Sequence, residues 1–78
     1  MTSKYARYNT IYRKLKGTAR LLGYSDKKVF AQSDINPSNS KLDGWSRASN
    51  HRHFRVIEED EVIAFIDGLR ILIEADGE

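Results

Sequence analysis

The chain has 78 residues, no cysteine, and 13 Lys and Arg against 11 Asp and Glu. That length makes one thin-cored domain over residues 1–78, and the missing cysteines exclude disulfide staples and the usual structural zinc sites. No apolar run approaches the roughly 20 residues of a membrane span, and Met1–Lys4 carries no signal-peptide core, so no membrane association is expected and the expected compartment is the cytoplasm.

Charge is distributed unevenly. Residues 1–28 carry Lys4, Arg7, Arg13, Lys14, Lys16, Arg20, Lys27 and Lys28 against Asp26 alone. Residues 56–78 carry Glu58, Glu59, Asp60, Glu61, Asp67, Glu74, Asp76 and Glu78 against Arg70 alone. Such polarity fits a basic face for an anionic partner, ends that attract each other within the fold, or head-to-tail association.

The first element is a helix. Tyr5, Tyr8, Ile11, Tyr12, Leu15, Ala19 and Leu22 recur at three-and-four spacing with basic residues between them. Its cap is Asn9 or Thr10, or it starts earlier, near Ser3; Gly23 ends it. Gly17 marks a place where another helix packs closely. The run Lys4-Tyr5-Ala6-Arg7-Tyr8 mixes aromatic and basic residues as base-stacking surfaces do. Tyr5, Tyr8 and Tyr12 share one helical face, however, which reads as core or edge packing.

Ser25 caps a second, short helix carrying Val29, Phe30 and Ala31 and ending near Ser33 or Asp34. Asn36-Pro37 starts a third, because asparagine caps well and proline suits the first helical position. Leu42, Trp45 and Ala48 form its buried stripe. Residues 49–55 form a polar connector anchored by Phe54. The last helix begins near Glu59, with acids where the helix dipole favours them. Its apolar face is Val62, Phe65, Ile66, Leu69, Leu72 and Ile73; Gly68 permits a close crossing, and the final Ala-Asp-Gly-Glu frays. The fold class expected is all-α: a compact bundle of about four short helices, helix-turn-helix-like.

No residue pattern points to catalysis or to a cofactor. His51 and His53 could hold a metal only with a third and fourth ligand, and they read instead as solvated loop residues. The Glu58–Glu61 carboxylates point in different directions on a helix and are explained by its dipole. The second and third helices carry the functional reading. In a helix-turn-helix the second element enters the major groove of double-stranded DNA while others grip the backbone. Asn39, Ser40 and Lys41 are then the base readers, and Lys27, Lys28, Arg47, Arg52 and Arg55 the phosphate contacts. The connection looks long for that motif and lacks the usual glycine. A regulatory DNA-binding module is expected; the alternative is an adaptor for a protein partner, using the acidic last helix or an exposed apolar strip.

The chain also resembles the YehS-like family of small bacterial proteins across about residues 9–70. The resemblance rests on Asn9-x-Ile11-x-x-Lys14-Leu15-Lys16, on Trp45-x-Arg47, on Asn50-His51-Arg52-x-Phe54-Arg55 and on Phe65-Ile66-Asp67-Gly68-Leu69. It implies a compact helical unit and brings no substrate, cofactor or catalytic residue. Members of that family look like two tandem copies of the unit where this chain has one. This implies a homodimer, with Leu69 to Ile73 as its contact.

Overall fold

The computed structural model describes residues 4–77, with side chains from Arg7 onward; the alternative helix start at Ser3 and the side chain of Tyr5 lie outside the described residues. Four α-helices and no strand are present among them: α1 (Lys4–Leu21), α2 (Asp26–Phe30), α3 (Asn39–Ser46) and α4 (Glu59–Asp76). The all-α bundle is as expected, although α1 and α4 are long, at 18 residues each. α4 packs on α1 and α2, and α1 also carries α3.

One aromatic ring from each helix builds the centre. Tyr12 and Phe30 each meet Phe65 edge-on at 5.2 Å between centroids, and Trp45 lies 5.8 Å from Tyr12 and 5.7 Å from Phe30. Offset and edge contacts of this kind add to the burial each ring already provides. Ala19, Tyr24, Val29, Leu42, Ile57, Val62, Leu69 and Leu72 complete the core. Burial and the neighbouring Asp26 carboxylate push the Tyr12 hydroxyl well above the ordinary tyrosine range. Asp26 is in turn held by Lys16 at 3.3 Å, and Lys16 donates to Ser46 Oγ at 3.0 Å, so α1, α2 and α3 meet in one polar junction.

Several boundaries differ from the sequence reading, each for a local reason. α1 runs straight through Asn9 and Thr10, so neither is a cap; Asn9 is buried inside the fold. Gly23 does terminate the segment, at φ 88°, a conformation glycine adopts without steric cost. Gly17 faces open space rather than another helix. α2 is capped by Ser25, whose Oγ accepts from the Lys28 N–H at 3.2 Å, but it ends at Phe30. Beyond it, Gln32 N–H donates to Val29 O and Ser33 N–H to Phe30 O, the tighter three-residue spacing that closes a helix.

α3 starts at Ser38, not at Asn36-Pro37: Ser38 Oγ accepts from the Lys41 N–H at 3.2 Å. Asn36, preceding a proline, is biased towards extended backbone. Pro37 then precedes the cap and Leu42 sits four helical positions in; both are buried, the placement of a hydrophobic staple. Ala48 lies past the end of α3 and is exposed. Ile57, fully buried, anchors the connector, where Phe54 is only half-buried. α4 is helical through Asp76, where the Tyr24 hydroxyl donates to the Asp76 carboxylate and lies against Leu72 O; Glu78, the last residue of the segment expected to fray, lies outside the described residues. That hydrogen bond to Asp76, then burial, raises the Tyr24 hydroxyl above its ordinary range.

Gly68 is where α4 crosses the end of α2. A Cβ there would stand 2.2 Å from Val29 O, so only glycine allows this approach. Of the apolar face expected for α4, Val62, Phe65, Leu69 and Leu72 are buried, while Ile66 and Ile73 stay about two-fifths exposed. Leu69 and Leu72 belong to the core and are not available as a contact for a second copy.

Candidate nucleic-acid interface

The connector between α3 and α4 is folded back onto α3, and this return assembles the basic residues. Arg55 N–H donates to Gly44 O at 3.0 Å, and Gly44 has no side chain to hold the strand away. A Cβ on Gly44 would meet the Arg55 side chain at 2.7 Å and His53 O at 2.9 Å. The return is pinned from the other side by Asn9 of α1. Its Nδ2 donates to Arg55 O at 2.7 Å and to Trp45 O at 3.1 Å, and its Oδ1 accepts from the Ile57 N–H at 3.2 Å. One buried amide thus joins α1, the end of α3 and the entrance to α4.

An open recess of about 580 Å³ results, lined by Ser40, Asp43, Arg47, Arg52, His53, Phe54 and Arg55. Three arginines and one carboxylate, Asp43, are among these residues. Arg47 Nε lies 3.1 Å from Asp43, an exposed pair that solvent and salt screen strongly. A smaller recess of about 240 Å³ adjoins it and shares Arg55, with Lys41, Trp45, Val56, Glu58 and Glu61 around it. Its two bases are balanced by two acids, so the excess of basic over acidic residues lies in the first recess.

Of the eight residues expected at a DNA contact, Arg47, Arg52, Arg55 and Ser40 line one recess and Lys41 lies beside them. Asn39 is exposed at the first position of α3, next to the recess residue Ser40. Lys27 and Lys28 are elsewhere, on α2, which packs on α1 and α4; Lys28 Nζ sits 5.3 Å from the centre of the Tyr24 ring. The sequence reading missed Asp43 as a member of the cluster, although its four-residue spacing to Arg47 is that of a helical ion pair. It also missed that Phe54 and His53 form part of the wall.

Eight residues, Ala31–Ser38, separate α2 from α3. A tight helix-turn-helix uses three or four. The long connection is a departure from that motif, while the exposed first turn of α3 remains accessible. The His51 and His53 rings lie 5.5 Å apart, but His51 Nδ1 accepts from the His53 N–H and His53 Nε2 accepts from Arg52 Nε. Among the described residues, no group of three or more His, Cys, Asp or Glu side chains is gathered that could hold a metal ion. Glu58 and Glu61 also have a local role, since the Glu58 N–H donates to Glu61 Oε1 at 2.9 Å as in a capping box.

Among the described residues, no helix is long and apolar enough to cross a membrane. No protein-family model, curated protein or solved structure matches this chain.

Proposed function

We propose that the chain is a non-enzymatic binding module that grips the phosphate backbone of double-stranded DNA with α3 and the connector that folds back on it. The observation that carries this reading is the convergence of Arg47, Arg52 and Arg55 around one open recess, with Lys41 adjoining. Planar guanidinium groups match phosphate oxygens bidentately, and several on one concave surface follow a backbone better than isolated lysines. On this reading Asn39 and Ser40, exposed in the first turn of α3, approach base edges once the backbone is held. Lys27 and Lys28 drop out of the interface on this reading.

Fluorescence anisotropy with a mixed-sequence duplex tests it. Three phosphate contacts give a slope of roughly −2.7 in log affinity against log salt, or about a 40-fold loss on a four-fold increase in salt. Arg47→Ala with Arg52→Ala should lower that slope by about two contacts, while Lys27→Ala with Lys28→Ala leaves it unchanged. Absence of binding at low salt, or a slope insensitive to the arginine variant, rejects the proposal.

A further inference from the structure

Packing leaves one side of the α1–α4 pair without a helix over it. The two helices run in the same direction: Asn9 near the start of α1 meets the backbone of Ile57 just before α4, and Tyr24 just after α1 meets Leu72 and Asp76 at the end of α4. On α1, Asn9 and Lys16 turn towards α3. On α4, Gly68 turns towards α2. At 100° per residue, these positions lie on the same side of the pair, so α2 and α3 cover that side together. The opposite flank of α1 carries Ile11 and Leu15, with Leu22 just past its end, and the matching flank of α4 carries Ile66 and Ile73. Their exposures agree with a flank left half-covered: Ile11 and Ile73 44%, Leu22 49% and Ile66 40%.

This apolar strip has rims of opposite charge. Along the outer edge of α1, Arg7, Lys14 and the 90% exposed Leu21 recur every seven residues and so form one line. Along the outer edge of α4 stand Glu59, Asp67 and Glu74, with Arg70 already held by Glu74 at 3.4 Å. A surface with a basic rim, an apolar centre and an acidic rim complements itself. A two-fold axis parallel to the helices lays the basic rim of one copy on the acidic rim of the other, twice over. An axis across the helices would instead oppose like charges.

We propose that the chain forms a two-fold homodimer in which α1 of one copy lies along α4 of the other, burying Ile11, Leu22, Ile66 and Ile73. The arginine recess is on the covered side of the pair and stays free in this dimer, so the inference stands independently of the DNA reading.

Sedimentation velocity across micromolar to sub-millimolar concentrations is the test. The expected wild-type species has twice the 9.0 kDa chain mass. Ile66→Asp should return the monomer. Because Ile66 is half-buried and its replacement also strains the fold, Lys14→Glu provides a second variant at an exposed site away from the core. Lys14→Glu should weaken the dimer about five-fold by opposing like charges, and adding Glu59→Lys should recover it. A monomer at every concentration overturns the proposal. So does a dimer indifferent to Lys14→Glu, or one that Glu59→Lys fails to restore.

Discussion

Asn9 shows how much one buried polar side chain can organise. Its amide satisfies two carbonyls and one N–H that belong to two separate stretches of chain, the end of α3 at Trp45 and the connector at Arg55 and Ile57. A buried polar group left without its partner costs about 1–3 kcal/mol. Asn9→Leu, similar in size, is therefore expected to lower stability by about 3 kcal/mol, read from the midpoint of urea unfolding. Asn9→Asp should be at least as damaging at neutral pH, because a carboxylate would face the two carbonyl oxygens that Nδ2 now serves. Burial among those oxygens raises the pKa of the introduced carboxyl in the fold above its unfolded value of about 3.9. The folded state then binds the proton more tightly, so the deficit shrinks as pH falls through the folded pKa. If Asn9→Leu unfolds at the wild-type urea midpoint, the three hydrogen bonds are not what holds the connector. Nothing in the sequence marks this residue: asparagine near a helix start reads as a cap, and only its distant partners make it a brace.

At the scale of the element, the two interior glycines of the long helices have opposite roles. Gly68 of α4 lies against a backbone carbonyl of α2, which cannot rotate away as a side-chain tip can. Gly68→Ala should cost about 1–3 kcal/mol through overpacking and separate α2 from α4. Gly17 of α1 has nothing within 4 Å of its missing Cβ, so Gly17→Ala should stabilise by about 0.5–1 kcal/mol from helix propensity alone. Thermal melts of the two variants shifting in the same direction would contradict the assignment. Both glycines interrupt amphipathic runs at equivalent-looking places, and the sequence assigns both to close packing. The difference lies in the neighbouring helix. α2 is a related case, because its five residues are too few to hold a helix alone. Its cap is legible at Ser25, but its end is decided where Val29 and Phe30 enter the core and the chain must turn to reach Pro37.

For the whole molecule, the central fact is that each helix contributes one ring to a shared cluster. No helix can leave without uncovering the rings of the others, so unfolding should be a single cooperative event. Trp45, the only tryptophan, reports on that cluster directly. Its fluorescence and the far-UV circular dichroism are expected to change together in urea, and separated midpoints would reveal an independently melting part. The two proposed surfaces lie on opposite sides of this cluster: the arginine recess where the connector returns over α3, the apolar strip where α1 and α4 have no cover.

The sequence by itself determined the all-α class, the core residues Tyr12, Phe30, Trp45 and Phe65, the Ser25 cap and the start of α4. These depend on interactions within a few residues, where helical spacing and capping chemistry act. Tertiary structure alone decided that Asn9 is a brace and that Ile57 anchors the connector. It alone separated Lys27 and Lys28 from the three arginines and left Ile66 and Ile73 on an open flank. Each of these depends on partners 36 to 48 residues away along the chain or on which helix lies opposite. Side-chain spacing places a residue on a face of its own helix, and the packing of the other helices decides what that face meets.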